Sequence, residues 1–434
     1  MPTRNTVLTS RAMRIGSAQH FRGRFSLPGD KSISHRLALF GALAEGETEI
    51  ENFSAGADCA STLSCLRALG VAVQHEGTSV RIHGRGFSGL HTAPGPLDAG
   101  NSGSTLRMLA GVLAGRPFES VLTGDASLRK RPVERVAAPL RAMGATAIPT
   151  DGRPPLTIRG GILRSIAWDL PVPSAQVKTA VLLAGLQASG TTTVNEPALS
   201  RDHTERLLPA FGVPVQRNGF TVSVSGPARL TPTTMTVPGD ASSAAFLVVA
   251  ALILPDSEVR IDGVLLNPTR TAFLDVLRRM NATIETGITA SAPEPVGWIV
   301  ARSSQLAGIE VPADLVPALI DEVPALAVAA ACARGRTSFS GAAELRGKES
   351  DRISALAEGL GRMGVALEER PDGLAIDGGR PMRGAALNAH DDHRIAMALS
   401  VAALRAQSET QIAGVECASI SFPQFYKYLQ LATR

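Results

Sequence analysis

The feature that most constrains the fold is an internal repeat. Six times, a small-residue helical run ends in a polar turn that leads into a short β-like run. The turn-and-strand pieces are "EGETEIENF" from Glu45, "GRPFESVLTG" from Gly115, "ASGTTTVNEP" from Ala188, "PDSEVRIDG" from Pro255, "RGRTSFSG" from Arg334 and "QSETQIAG" from Gln407. Their starts recur about every 70 residues, a period too long for a solenoid of small repeats. Each follows a helical run: "HRLALFGALA", "TLRMLAGVLAG", "VKTAVLLAGL", "AAFLVVAALIL", "VPALAVAAACA" and "HRIAMALSVAAL". These runs are apolar all round, so they predict helices buried on every side. They fall short of the roughly 20 residues that cross a bilayer.

A second, amphipathic helix fits five of the units. "CASTLSCLRALGVAV", "PVERVAAPLRAMGATA", "RDHTERLLPAFGVPV", "TRTAFLDVLRRMNATI" and "ESDRISALAEGLGRMGVAL" carry apolar residues three and four apart. Each ends at Gly or Asn, the residues that accept a left-handed C-cap. The unit is therefore a βαβαβ-type module. A chain of 434 residues exceeds one ordinary core. Two lobes of three units each fit the length, divided at two Pro-Gly turns, Pro28-Gly29 and Pro238-Gly239.

The net charge of +4 is mild, with no basic run and only 4% aromatic residues, so it favours a small anionic ligand over nucleic acid. Cys59, Cys65, Cys332 and Cys417 form no CxxC pair and have no His cluster beside them. They read as free thiols in a reducing compartment. The first 29 residues hold five arginines and no acid but no apolar signal core, which predicts a basic tail or a first strand and a cytoplasmic protein.

The polar residues cluster where inner helices should begin. In "PGDKSISHR", Asp30 or Ser32 can cap a helix carrying Lys31, His35 and Arg36. A helix start with such cations favours phosphate or carboxylate. The echo "TVPGDASSAAF" keeps the turn without those charges. "DAGNSGSTLRML" offers backbone N–H groups around Gly103, "GDASLRKRP" supplies Arg129, Lys130 and Arg131, and "VPSAQVKTA" presents Ser174, Ala175 and Gln176. In the second half, "ALIDEVPAL" sets Asp321 and Glu322 in apolar surroundings. "LRGKESDRISAL" predicts Lys348 and Arg352 four apart on one helix face with Glu349 beside them. "AHDDHRIAMAL" places His393 and Arg394 at a helix start, where the adjacent acids read as caps rather than metal ligands. If these starts share one cleft, it holds at least five cations and a few carboxylates, which suits a pair of multiply anionic ligands.

"LPGDKSISHR", "GNSGSTLRML", "GDASLRKRP", "VPSAQVKTAVLLAGL", "RDHTERLL", "IDEVPALAVAAA", "GKESDRISAL" and "DDHRIAMAL" resemble, in this order, the signature segments of the 5-enolpyruvylshikimate-3-phosphate synthase family. "GDASLRKRP" with "RDHTERLL" looks like its class II bacterial branch. The resemblance implies a two-domain inside-out α/β barrel, each domain of three βαβαββ units. The chain would cross twice near the Pro-Gly turns, giving a continuous lobe 28–237 and a discontinuous lobe 1–27 plus 238–434. It implies addition–elimination through a tetrahedral intermediate, moving the enolpyruvyl group of phosphoenolpyruvate to the 5-hydroxyl of shikimate 3-phosphate with release of phosphate. No metal or organic cofactor is implied. A monomer and inhibition by glyphosate are.

By the same resemblance, Lys31, Ser32, Arg36, Ser174, Ala175, Gln176, Arg201, Asp321 and Lys348 bind shikimate 3-phosphate. Lys31, Gly103, Arg131, Gln176, Arg352 and Arg394 bind phosphoenolpyruvate, and Asp321, Glu349 and Lys31 move protons. This chain departs from the pattern in three places: "SISFPQF" lacks a lysine before its "FP", Glu344 stands for an asparagine, and Glu134 stands for a glycine. The sister transferase acting on UDP-N-acetylglucosamine presents a loop cysteine that "TGDASLRKRP" lacks. A non-catalytic polyanion or RNA binder on a related scaffold is disfavoured by the sparse aromatics and the absence of a basic stripe.

Overall fold

The computed structural model describes residues 12–434, so Arg4 and Arg11 of the basic N-terminal stretch lie outside the described residues. From there the chain enters strands at Met13–Ile15 and Arg22–Ser26. The six apolar runs form the helices Lys31–Leu43, Gly103–Leu113, Ala175–Gly185, Ala241–Ile253, Val323–Cys332 and His393–Leu404, referred to here as the first to sixth inner helices. They are buried along nearly their whole length, and the fourth is buried at every residue. Each fully buried Val, Leu, Ile or Phe contributes about 1.5–3 kcal/mol. The inner helices are therefore the cores, and the sheets form the outside.

Among the described residues, six sheets surround these helices, five of four strands and one of three. The unit is clearest in the second repeat. Leu97–Asp98 pairs parallel with Glu119–Thr123, which pairs antiparallel with Arg153–Arg159, and a hairpin brings in Thr146–Thr150. The second helices Ala57–Ala68, Glu134–Met143, Ala272–Arg279 and Arg352–Arg362 lie where the amphipathic spacing predicts them. The third unit's is shorter, His203–Leu207, and continues as a 3-10 turn. Gly70, Gly144, Gly212, Asn281 and Gly364, which follow these five helices, all have positive φ. Those are the left-handed caps expected of Gly and Asn.

The sixth unit differs. Its strands Ala386–Asn388 and Thr410–Ala413 are joined by the N-terminal strand Met13–Ile15, paired antiparallel to the second of them. A 3-10 turn and the helix Phe425–Ala432 take the place of the helix and hairpin. The sequence after Gln407 lacks an amphipathic helix ending in Gly, and the structure accounts for that.

Three sheets are built from residues 45–236 and three from residues 13–26 and 258–413. In each group the first sheet takes its parallel strand from a segment next to a Pro-Gly turn. Thr234–Thr236 pairs with Glu45–Glu51, and Arg22–Ser26 pairs with Glu258–Leu265. The two turns lie side by side. Gly29 and Gly239 form an antiparallel bridge, Asp30 N donates to the Pro238 carbonyl (2.8 Å), and Asp240 N donates to the Pro28 carbonyl (3.0 Å). A side chain at Gly29 would start 1.8 Å from the Asn52 carbonyl oxygen, so only glycine fits. Asn52 Nδ2 donates to the carbonyls of Leu27 and Val237, tying both passing strands.

Candidate active site

Four of the six inner helices bring their first turns to one cavity of about 400 Å³, and Asp321, just ahead of the fifth, joins them. At the first helix, Asp30 Oδ1 accepts from Ile33 N (2.9 Å) and fixes the helix start at Lys31. Lys31 Nζ pairs with Asp58 Oδ2 at 3.0 Å. Burial works against the ammonium, but Asp58, then Glu349 and Asp321, outweigh it and raise its pKa above the ordinary lysine value. Ser32 lines the cavity beside it. Arg36, one turn on, is deeper and mostly committed inside the fold. Its Nε donates to Thr204 Oγ1 (2.8 Å), Nη2 to Thr179 Oγ1 (3.0 Å) and Nη1 to the Ser32 carbonyl (2.9 Å).

The second and third inner helices interlock. Ser102 and Ser174 cap them through Thr105 N and Val177 N, which leaves Gly103, Ser174 and Ala175 on the cavity wall. Arg107 Nη1 donates to Gln176 Oε1 (2.9 Å), Arg107 Nη2 to the Pro132 carbonyl (3.1 Å), and Gln176 Nε2 to Ser104 Oγ (2.8 Å). Of the "RKR" cations, Arg129 and Lys130 are exposed. Arg131 turns inward, held by Asn101 Oδ1 (2.8 Å) and facing Glu349 at 3.5 Å.

From the second half of the chain, Asp321 precedes the fifth inner helix at the centre of a ring of cations. Arg201 Nη2 lies 2.5 Å from it, Arg352 Nη1 3.3 Å and Arg394 Nε 3.6 Å. Burial pushes the Asp321 carboxyl up, but Arg394, Arg201, Lys348 and Arg352 outweigh it and hold it well below the usual carboxylate range. Glu349 shows the same balance. Burial raises it, and Arg352 (2.6 Å), His393, Arg131 and Lys31 hold it well below its ordinary value. Burial depresses Lys348 despite the nearby Asp321. Arg352 is also gripped by Asp392 (2.8 Å), the cap of the sixth helix.

All fourteen residues that the resemblance assigns to the substrates or to proton transfer line this cavity: Lys31, Ser32, Arg36, Gly103, Arg131, Ser174, Ala175, Gln176, Arg201, Asp321, Lys348, Glu349, Arg352 and Arg394, whereas His35, Arg129, Lys130 and Glu322 do not. One expectation fails. Lys348 and Arg352 do not share a helix face, because the helix begins at Arg352. Asp351 is the cap, its carboxylate accepting from Ser354 N (3.1 Å), which leaves Lys348 and Glu349 in the preceding loop. Asp58, Arg107, Arg135 and His393 also line the cavity without having been assigned a part in it. Arg107 had a signal, one helical turn from Gly103. Burial and then Lys31 push His393 down to about 4, so it is neutral, and neither ring nitrogen has a partner among the described residues. Glu344 faces Arg135 across the cleft at 3.3 Å, and Glu134 pairs with Arg141 of its own helix.

The fourth inner helix start stays out of the cavity. Its cap Asp240 accepts from Lys31 N (3.2 Å), and its Ser242 Oγ accepts from the buried Arg270 (2.8 Å) and donates to Glu322. Arg270 also binds Asp30 at 2.5 Å. The echo of the first Pro-Gly turn thus props up the first helix and does not face a ligand. Among the described residues, no group of three or more His, Cys, Asp or Glu could hold a metal ion. No cysteine lines the cavity, and burial pushes the Cys59 thiol far up.

The lining carries nine lysines and arginines against four carboxylates, a surplus of five positive charges. A solved structure of the enolpyruvyl transferase NikO from Streptomyces tendae superposes with a TM-score of 0.80 at 21% identity, covering 98% of both chains. The fold is that of the enolpyruvyl transferases. An EPSP synthase from Acinetobacter baumannii matches more closely, with a TM-score of 0.86 and 45% identity over 97% of each chain. The model of the family "EPSP synthase (3-phosphoshikimate 1-carboxyvinyltransferase)" matches residues 16–429. The chain belongs to this family. Relatives named 3-phosphoshikimate 1-carboxyvinyltransferase include those of Acidithiobacillus ferrooxidans, 51% identical over 98% of both chains, and Desulfitobacterium hafniense, 49% identical over 97% of both.

Proposed function

We propose that this cleft holds both substrates of the family's reaction and divides the chemistry between its two sides. The enzyme transfers the enolpyruvyl group of phosphoenolpyruvate to the 5-hydroxyl of shikimate 3-phosphate, a step toward aromatic amino acids. Each substrate carries a carboxylate and a phosphate, together about five to six negative charges at neutral pH. The surplus of five cations nearly matches that load. The observation that carries the assignment is the convergence of four helix N-termini and these cations around Asp321.

In this reading, Ser174, the Ala175 backbone, Gln176, Arg201 and Lys348 hold the phosphate and ring of shikimate 3-phosphate, with Lys31, Ser32 and Arg36 at its side. Arg131, Arg352 and Arg394 clamp phosphoenolpyruvate, aided by Lys31, Gln176 and the backbone at Gly103. Planar guanidinium groups suit its two anionic ends. Asp321 accepts the proton of the 5-hydroxyl as its oxygen bonds to C2 of phosphoenolpyruvate. Glu349 and Lys31 deliver a proton to the methylene carbon, giving a tetrahedral adduct. Return of a methyl proton to the group that delivered it then restores the double bond as the bond from C2 to the phosphate oxygen breaks and phosphate departs.

The electrostatics support an ordered activation. Four cations hold Asp321 too acidic to be an effective base in the empty cleft. Substrate anions that neutralise Arg201, Arg394 and Lys348 weaken that restraint and raise its basicity. The two lobes, 28–237 and 1–27 with 238–434, close over the pair and exclude water. The enzyme acts as a monomer. Four unpaired cysteines suit the cytoplasm. Glyphosate, an anion smaller than the substrate pair, takes the phosphoenolpyruvate side.

The test is phosphate release. Release that needs both shikimate 3-phosphate and phosphoenolpyruvate supports the reading. Release with UDP-N-acetylglucosamine as acceptor, or none with either, overturns it.

A further inference from the structure

A buried ion cluster outside the cavity has no part in the chemistry above. Lys178 sits one turn into the third inner helix, and its side chain is 0% exposed. Its ammonium meets Glu196 Oε2 at 2.7 Å and Glu205 Oε1 at 2.6 Å. These carboxylates flank a loop, Glu196 following the strand Gly190–Asn195 and Glu205 lying in the helix His203–Leu207. Within the loop, Ser200 Oγ donates to the other oxygen of Glu196. Asp202, at the far end, is fixed by Asn267 Nδ2 (2.7 Å) and Arg206 (2.8 Å). Between these anchors stands Arg201, reaching Ser32 Oγ at 3.3 Å and Asp321.

A fully buried lysine between two buried carboxylates is costly unless its geometry serves something. Here both ends of one short loop are pinned to a single buried cation, and of the loop residues Leu199, Ser200 and Arg201 that line the cavity, Arg201 is the one that carries a charge. We propose that Lys178 is a positioning residue which, through Glu196 and Ser200, holds Arg201 in place to receive the phosphate of shikimate 3-phosphate. This rests on the reading of Arg201 as a phosphate contact. Arginine is a long, flexible side chain, and pinning its backbone from both sides lowers the ordering cost of binding.

The test is a double-mutant cycle on the dissociation constant of shikimate 3-phosphate, measured by calorimetry without phosphoenolpyruvate. Ser200→Ala cuts the tie without stranding a buried charge, so it keeps the proposal testable if Lys178→Met fails to fold. Arg201→Ala should weaken binding more than tenfold and Ser200→Ala three- to tenfold. Ser200→Ala in the Arg201→Ala background should add nothing. If Lys178→Met folds, its loss of affinity should likewise vanish in that background. A Ser200→Ala effect that is absent, or equally large without Arg201, overturns the clamp alone. An Arg201→Ala protein with unchanged affinity overturns both the clamp and the phosphate role it rests on.

Discussion

Alanine at position 103 tests how the phosphoenolpyruvate side is held. A Cβ there would lie 2.5 Å from Arg107 Nη1. Ordinary van der Waals contact requires the guanidinium to withdraw roughly 1 Å. Arg107 is 4% exposed and bonded to both Gln176 and the Pro132 carbonyl, so its guanidinium end can withdraw only by stretching those bonds. The bond at risk is Arg107 Nη1 to Gln176 Oε1, now 2.9 Å. A hydrogen bond to a charged group is worth about 1.5–3 kcal/mol. Its loss converts to a roughly 10- to 150-fold rise in KM for phosphoenolpyruvate. Glyphosate should lose more than the substrate, because the methyl group also enters its side of the cavity. The native enzyme, with glycine here, should be inhibited competitively with phosphoenolpyruvate at micromolar glyphosate. The assay is steady-state phosphate release with phosphoenolpyruvate varied at saturating shikimate 3-phosphate, repeated with glyphosate. An Arg107→Ala background should abolish the extra effect on KM. A KM within twofold of the native value, or an effect undiminished in that background, refutes the route through Arg107.

Three further outcomes follow from the geometry. Asp321→Ala should still bind both substrates, since it frees Arg201, Arg352 and Arg394 from a competing carboxylate, yet lose about 10²- to 10⁴-fold in kcat; near-native turnover would contradict its role as base. Arg270→Met leaves Asp30 buried without its cation and should lower the unfolding free energy by about 3–5 kcal/mol in urea titrations, and a change under 1 kcal/mol would show that the pair is dispensable. Glu294 is pushed up to about 8 by burial, beside a His203 that burial keeps neutral (2.7 Å). Its folded pKa thus lies above the unfolded one near 4.5, so its contribution is full below that pH and is lost as pH rises toward 8. Below about 6.5 the neutral His203 opposes this loss, so the fall, up to about 1.4 kcal/mol per pH unit, should emerge between about 6.5 and 8, and Glu294→Gln should flatten it there.

The repeat was legible because its signals are local. Apolar runs announce inner helices, and Gly70, Gly144, Gly212, Asn281 and Gly364 announce where the outer ones stop. The helix starts that meet at the cavity were legible for a similar reason, since caps, glycines and cations must be close in sequence to serve a helix N-terminus. What escaped depends on partners far along the chain. Met13–Ile15 completes the last sheet by pairing with Thr410–Ala413. Arg270 bonds with Asp30, 240 residues away in sequence. Asp58 meets Lys31 only because the first outer helix packs there, and Arg107 matters through Gln176 on another helix. The placement of Lys348 and Glu349 turned on which of two nearby acids caps the helix, and Asp351 takes that place.

The central claim is that both substrates lie in this one cleft with Asp321 between them. A crystal structure of the Asp321→Ala protein with shikimate 3-phosphate and phosphoenolpyruvate tests it most directly. The shikimate phosphate should lie within hydrogen-bond distance of Ser174 Oγ, Gln176 and Arg201, and phosphoenolpyruvate should lie among Arg131, Arg352 and Arg394. Either ligand bound outside the cleft, or phosphoenolpyruvate seated on the Ser174 side, would contradict the account.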